Sequence, residues 1–124
     1  MQLGYREFLS TLEIFACRPE EQCELTGDAN TAWDLKDDAL HARFLIGSSL
    51  FTEQQEIAVQ QFFAAIYLVP VNDMPAGSGR SSNLAAMQHP AWASIRTLAT
   101  QLIVTLETAT QANVAYFKSL ENAP

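Results

Sequence analysis

Hydrophobic residues recur at helical spacing along most of this chain of 124 residues. In the first segment they lie on one face of a predicted helix, opposite a polar face: Tyr5, Phe8, Leu9, Leu12, Phe15 and Ala16. Pro19 ends this helix near Cys17, because helical geometry is disfavoured for the residue before a proline. Since proline also suits a first helical position, we predict a short second helical turn over residues 20–25.

The next predicted helix covers about residues 30–50. Either Asn30 or Thr31 can cap its N-terminus, because the side-chain oxygen of each accepts hydrogen bonds from free backbone amides. The second half of the segment is apolar on several sides, from Phe44 to Leu50. That end of the helix is therefore expected to lie inside the protein.

A third main helix is predicted from Thr52 to about Leu68. Thr52 and Gln55 have the spacing of a capping box, which marks a helix start. The side chains that this helix is expected to bury are Val59, Phe62, Phe63, Ile66 and Val69. Residues 70–90 then lose the periodicity and are rich in turn-forming residues, so they predict one long loop with at most a helical turn at 83–88.

The last segment has the most regular pattern of the chain. Its apolar positions alternate spacings of four and three, as in a coiled-coil seam: Ile95, Ala99, Leu102, Leu106, Ala109, Asn113, Tyr116 and Leu120. The pattern predicts a single helix over residues 91–121, about 45 Å long at 1.5 Å per residue. Asn113 either sets the register or oligomeric state of this seam, or lies at an exposed helix end.

These elements predict an all-α fold, a compact bundle of about four helices with a long C-terminal helix and one long loop before it. The length fits one helical domain over residues 1–124. No uncharged apolar stretch reaches the roughly 20 residues that a membrane-spanning helix needs. The first residues also lack the basic start and apolar run of a secretion signal, so a cytoplasmic protein is expected.

Negative charge is concentrated at one end of the chain. Nine of the 14 acidic residues but only three of the seven Lys and Arg residues lie in residues 1–38, so this segment carries −6 of the net charge of −7. The negative field repels phosphate, which excludes nucleic acid and anionic membrane as partners. It favours basic protein surfaces or cations.

The strongest candidate site lies within this acidic segment. Asp34, Asp37, Asp38 and His41 occupy positions i, i+3, i+4 and i+7, which share one face of a helix. Trp33 adjoins them as either an interface anchor or a core residue, and tryptophan is enriched among anchors. The predicted partner-binding surface comprises Glu20, Glu21, Glu24, Trp33, Asp34, Asp37, Asp38 and His41.

The same residues allow two other interpretations. Asp38 and His41 have the i, i+3 spacing of helix-bundle metal sites, with Glu56 among the few donors that could complete a ligand set. A di-metal site needs this motif on two helices, and the chain has it once. The plainer alternative is a solvated acidic helix start, stabilised by the helix dipole, in which His41 pairs with Asp37. No cofactor is expected.

Three other motifs give weaker evidence of a functional site. The segment Gly77–Ser82 resembles an anion cradle but lacks the full P-loop pattern, so it predicts a flexible surface loop. His89 precedes Pro90 near a helix cap, where a structural role is typical. Cys17 and Cys23 are expected to be reduced thiols, although a short-loop disulfide between them is sterically open.

The charge segregation, together with the lack of any catalytic set, favours a protein-binding module over an enzyme. In size, charge and helical class the chain resembles the small acidic immunity and antitoxin proteins of bacteria, which neutralise a basic toxin through an acidic face. The resemblance implies an inhibitor of a basic protein. Two alternatives remain open: a helical-bundle enzyme that binds a metal or small ligand, and a structural homodimer joined through the helix over residues 91–121.

Overall fold

The computed structural model describes residues 2–121, and within that range the regular structure is helical apart from one isolated β-bridge. The α-helices are α1 (Gln2–Ala16), α2 (Pro19–Leu25), α3 (Thr31–His41), α4 (Glu53–Tyr67), α5 (Arg80–Met87), α6 (Pro90–Thr105) and α7 (Glu107–Glu121). Two 3-10 turns cover Ala42–Leu45 and Val71–Asp73. The all-α class is confirmed, but the expected count of about four helices is wrong.

Short-range sequence signals account for the starts of several helices. Pro19 opens α2, as predicted. At the start of α4 the amide of Gln55 donates to Thr52 Oγ1 at 3.2 Å, and the amide of Thr52 donates to Gln55 Oε1 at 3.0 Å. The predicted capping box is therefore confirmed. At the start of α6, His89 Nδ1 accepts a hydrogen bond from the Ala91 amide at 3.1 Å, which gives His89 a structural role.

The predicted helix over residues 30–50 is wrong in its second half. The α-helix ends at His41, and the chain tightens into the 3-10 turn that follows. Ile46 is extended, and Gly47 has a φ of +83°, a left-handed conformation that favours glycine. The early end of the helix places Leu45 in the core and leaves Phe44 outside.

The prediction of a single long C-terminal helix is also wrong, because a break at Leu106 divides this segment into α6 and α7. Leu106 has φ −90° and ψ 8°, and its side chain is fully buried. The Tyr5 hydroxyl donates to the Leu106 carbonyl at 3.3 Å and lies 2.5 Å from Thr110 Oγ1. After the break, α7 packs against the start of α1, where the Arg6 guanidinium lies 4.5 Å from the centre of the Phe117 ring.

The expected long loop contains more structure than the periodicity indicated. In place of a single helical turn, α5 extends over two turns from Arg80. The segment before it is tied to the α2–α3 connection by an isolated bridge between Ala29 and Ser78. The Gly79 amide donates to the Asp28 carbonyl at 2.8 Å, so the segment over residues 77–82 is not the free surface loop that was predicted.

The core is one cluster of buried hydrophobic side chains, whose aromatic members come from α1, α4 and α6. Phe15 stacks on Trp92 with ring centres 5.7 Å apart, and Phe8 packs against Phe63 at 5.4 Å. The side chains predicted to be buried on and just after α4 are all buried: Val59, Phe62, Phe63, Ile66 and Val69. The helical periodicity therefore identified this face correctly.

Two further features of the structure are the lengths of its apolar helices and the state of its cysteines. Within residues 2–121, no helix combines the length and the apolar character that crossing a membrane requires. Cys17 and Cys23 are free thiols, and Cys17 Sγ donates a hydrogen bond to the Glu13 carbonyl at 3.2 Å.

Candidate functional site

Helix α3 presents the acidic face that the sequence predicted. Its core-facing side is formed by Thr31, Ala32, Leu35 and Ala39, all buried. The opposite side is exposed and carries Trp33, Asp34, Asp37, Asp38 and His41. We call these five residues the α3 ridge. Trp33 is 44% exposed, so the alternative that placed it in the core is wrong.

The start of α3 is held by a residue that the sequence did not single out. Asn30 adopts a left-handed conformation, with φ +48°, and its side chain does not cap the helix. Instead, Asn83 Oδ1 accepts a hydrogen bond from the Thr31 amide at 2.8 Å. Asn83 Nδ2 donates to the carbonyls of Asp28 and Gly79, at 2.8 and 2.7 Å. This buried amide anchors the helix that carries the ridge.

The acidic residues on and after α2 are largely neutralised within the chain. Arg18 Nε lies 3.1 Å from a Glu21 carboxylate oxygen. Arg80 pairs with Asp28 at 2.5 Å and approaches Glu24 at 3.9 Å. The hydrogen bond from Arg80 lowers the pKa of Asp28. Within the predicted surface, Glu21 and Glu24 are therefore less available for a partner than the ridge carboxylates are.

The carboxylates of the α3 ridge lack such basic partners. Among the residues that the structure describes, no Lys or Arg forms an ion pair with Asp34, Asp37 or Asp38. His41 Nδ1 lies 3.6 Å from an Asp37 oxygen and both side chains are exposed, as expected for the plainer alternative of a solvated acidic helix start. Partial burial raises the pKa of Asp38, and the neighbouring charges of Asp34 and Asp37 raise it further, against an opposing effect of His41.

Lys36 is the only Lys or Arg residue of α3, and its ammonium group does not contact the ridge. Its Nζ donates to the carbonyls of Tyr67 and Val69, at 2.9 and 2.8 Å, and lies 5.7 Å from the centre of the Tyr67 ring. The ammonium group thus satisfies carbonyls at and just after the C-terminal end of α4, where a positive charge is favourable. It leaves the ridge charges uncompensated.

A groove of about 410 Å³ lies between α1 and α3. Its lining residues are Gly4, Glu7, Phe8, Thr11, Asp38, His41, Ala42 and Phe44. The Phe44 ring sits so close to Gly4 that a Cβ atom at position 4 would clash with it. This α1–α3 groove is bordered by Glu7 of α1 and by Asp38 of α3, an arrangement that helical periodicity alone could not reveal.

A second groove, of about 370 Å³, lies on the other flank of α3. Its lining residues are Leu40, Arg43, Phe63, Ala64, Tyr67 and Leu68. Tyr67 is 65% exposed and Leu68 is 77% exposed, at the end of α4. We call this second groove the α3–α4 groove. At 100° per residue, Trp33 and Asp37 lie between the two flanks of α3, so the ridge separates the grooves.

The geometry does not assemble the metal site that the sequence left open. Within residues 2–121, no group of three or more His, Cys, Asp and Glu side chains is placed to hold a metal ion. Glu56 accepts a hydrogen bond from the Gly47 amide instead of joining Asp38 and His41.

No family model, curated protein or solved structure matches this chain. The likeness to immunity and antitoxin proteins therefore remains one of size, charge and helical class. What points to a function is the chemistry of the α3 ridge and the grooves beside it.

Proposed function

We propose that this protein is a small acidic binding module that captures a basic protein partner through the α3 ridge, as an inhibitor or immunity-type protein does. The observation that carries the proposal is the uncompensated charge of Asp34, Asp37 and Asp38, while Lys36 serves the end of α4. Clustered like charges disfavour the folded state. A basic partner would relieve that repulsion on binding.

Charge and anchor have separate parts in this proposal. The carboxylates attract a basic surface over a long range and raise the association rate at low ionic strength. Exposed ion pairs add little affinity by themselves, so a buried anchor must hold the complex together. Trp33 supports that role, because its large aromatic side chain is exposed among the acids.

The α1–α3 groove offers a place for one basic side chain of the partner. The carboxyl groups of Glu7 and Asp38 border it, and the exposed ring of Phe44 forms part of its wall. A guanidinium or ammonium group there would gain charge-assisted hydrogen bonds and a cation–π contact. Its charge would also favour the ionised form of Asp38.

A cytoplasmic setting forms part of the proposal. The hydrogen bond donated by Cys17 requires a reduced thiol. Thiols persist in that state in the reducing cytosol.

The homodimer alternative has less support, because the apolar seam of α6 and α7 is used within the chain. Its first six positions are buried: Ile95, Ala99, Leu102, Leu106, Ala109 and Asn113. Only Tyr116 and Leu120, at the end of α7, are left exposed.

The test compares two triple variants with the same change in net charge. The ridge variant carries Asp34→Lys, Asp37→Lys and Asp38→Lys; the control carries Glu53→Lys, Asp73→Lys and Glu121→Lys, on exposed positions elsewhere. Partners retained by the wild-type protein from extracts of the source cells are purified, and their binding kinetics are measured by surface plasmon resonance. Circular dichroism checks that each variant stays helical.

We expect the ridge variant to lose at least about tenfold in association rate and most of its salt dependence, because electrostatic steering depends on the local field. The control should bind with smaller changes. Equal losses in both variants would show that only net charge matters and would contradict the proposed site.

A further inference from the structure

The α3–α4 groove is an exposed apolar surface that the capture of a basic partner does not by itself use. The aliphatic and aromatic side chains of Leu40, Phe63, Tyr67 and Leu68 line it. Phe63 is buried and forms its floor, whereas Tyr67 and Leu68 project at its rim. Adjacent large apolar side chains exposed beside a concave surface are typical of protein contact sites.

Hydrogen bonds hold the groove in shape. Lys36 joins α3 to the end of α4 through the carbonyls of Tyr67 and Val69. On the other side, Arg43 Nε donates to the Leu40 carbonyl at 2.9 Å, which holds the guanidinium against its own turn. A groove that is already formed does not pay an ordering cost when a partner enters it.

Charge decides which occupant fits. A second copy of this chain would bring its own net charge of −7 against the α3 ridge, so repulsion disfavours self-association there. Arg43 lines the groove itself, so a cationic side chain is disfavoured inside it. The groove accepts an apolar side chain, while the ridge, within one helix diameter of about 10 Å, accepts cations.

We propose that the α3–α4 groove binds the apolar face of an amphipathic basic helix of the partner, whose cations lie on the α3 ridge. This inference rests on the proposed function, because the ridge supplies the charge that selects the helix. One helix with adjacent apolar and basic faces meets both surfaces at once, as in other complexes where a helix lies in a groove. Apolar anchors in the groove slow dissociation, and the acids of the ridge speed association.

The test uses a fluorescein-labelled synthetic helix of about 18 residues, with leucines at i, i+3, i+4 and i+7 spacing and lysines elsewhere. A second probe has the same composition in a shuffled order that destroys the apolar face. A third has glutamate in place of lysine. Fluorescence anisotropy gives the affinity of each probe, and stopped-flow mixing gives the rates.

Two groove variants are compared with one control. Leu68→Gln removes an apolar side chain from the rim, and Ala64→Gln places a polar side chain in the groove; both positions are exposed, so both variants should fold. Val104→Gln makes the same kind of change at an exposed apolar position of α6, away from α3.

We expect the amphipathic lysine probe to bind at least about tenfold more tightly than either other probe, a factor that corresponds to about 1.4 kcal/mol. The groove variants should raise its dissociation rate by about tenfold and leave its association rate unchanged, because the ridge remains intact. The Val104 variant should match the wild type.

Three results would overturn a proposal, and they are distinguishable. If the groove variants match the wild type while the ridge variant fails, the groove inference is wrong and the proposed function stands. If the shuffled probe binds as well as the ordered one, the binding is purely electrostatic and the groove inference is again wrong. If the ridge variant binds the probe as the wild type does, the proposed function falls with it.

Self-association is checked on the same samples. Light scattering of the wild-type protein at high concentration should show a monomer. A dimer that dissociates in the Leu68→Gln variant would assign the groove to a second copy of the chain and overturn the inference.

Discussion

The side chain of Asn83 caps helix α3 through the amide of Thr31, at 2.8 Å and 52 positions away in the chain. Asn83 is almost fully buried on α5, and its Nδ2 group donates to the carbonyl of Asp28, just before α3, and to that of Gly79, just before α5. The helix that carries the acidic ridge therefore takes its cap from another helix.

Asn83→Ala should lower the free energy of unfolding by about 3 kcal/mol, because it leaves the buried Thr31 amide without a partner and removes the hydrogen bonds that Asn83 Nδ2 donates. Chemical denaturation monitored by circular dichroism measures the change. Asn72→Ala, at an exposed position, is the matched control and should stay within about 0.5 kcal/mol of the wild type. Equal stabilities for both variants would refute the role assigned to Asn83.

Tyr5→Phe should destabilise the protein by about 1 to 2 kcal/mol, because its hydroxyl binds the Leu106 carbonyl and Thr110 in a buried site. Since these bonds join α1 to the break between α6 and α7, amide exchange should speed up mainly in residues 107–121. Hydrogen exchange measured by NMR gives both the change in stability and the exchange rates of the amides in residues 107–121. Tyr67→Phe alters an exposed ring and serves as control; a uniform change in exchange along the chain would argue against the link.

Asp38→Asn should raise the free energy of unfolding at pH 7, by less than about 1 kcal/mol because the carboxyl group is only partly buried and solvent screens its charge. Burial and the charges of Asp34 and Asp37 raise the pKa of Asp38 in the folded protein. The folded state therefore binds the proton more tightly than the unfolded state, and the cost of the charge disappears as the pH falls through the raised pKa. The gain of the variant should shrink in the same window.

Asp28→Asn provides a control of opposite sign. The hydrogen bond from Arg80 lowers the pKa of Asp28, so its ionised form stabilises the folded state above the ordinary pKa of aspartate. That contribution is lost as the pH falls through the lowered pKa. Asn tolerates the φ of +55° at this position, so the backbone should be unaffected. If urea titrations between acid and neutral pH gave both variants the same sign, the charge assignments would be wrong.

The two tryptophans should differ in their access to a quencher. Trp92 is fully buried, and its Nε1 lies 3.2 Å from Met74 Sδ, whereas Trp33 is exposed on the α3 ridge. Acrylamide should therefore quench one part of the fluorescence readily and the other slowly. Trp33→Phe should remove the readily quenched part. A variant whose emission is still quenched easily would show that the ridge is not as described.

Local patterns predicted the features that depend on neighbouring residues. The capping box of Thr52 and Gln55 and the buried face of α4 follow from contacts three or four positions apart, and the helix start at Pro19 follows from the fixed φ of proline. The same reasoning placed Asp34, Asp37 and Asp38 on one face of α3. Residues at these spacings meet in any α-helix, whatever surrounds it.

Of the two helices whose bounds were predicted wrongly, one had a sequence signal for its correct end and the other did not. Gly47 marked the early end of the predicted helix over residues 30–50, because glycine favours the left-handed conformation found there. The break at Leu106 had no such signal, since its apolar spacing continues the seam. A continuous pattern permits one long helix, but packing against Tyr5 stabilises a turn.

The sequence by itself determined the helical class, most helix starts and the acidic face of α3, because these depend on spacing along the chain. Only the tertiary structure decided that Asn83 caps α3, that Arg80 neutralises Glu24 and Asp28, and that Lys36 leaves the ridge uncompensated. It also placed a groove on each side of α3 and exposed Trp33. Each of these depends on groups that are distant in the chain, and only packing determines which of them meet.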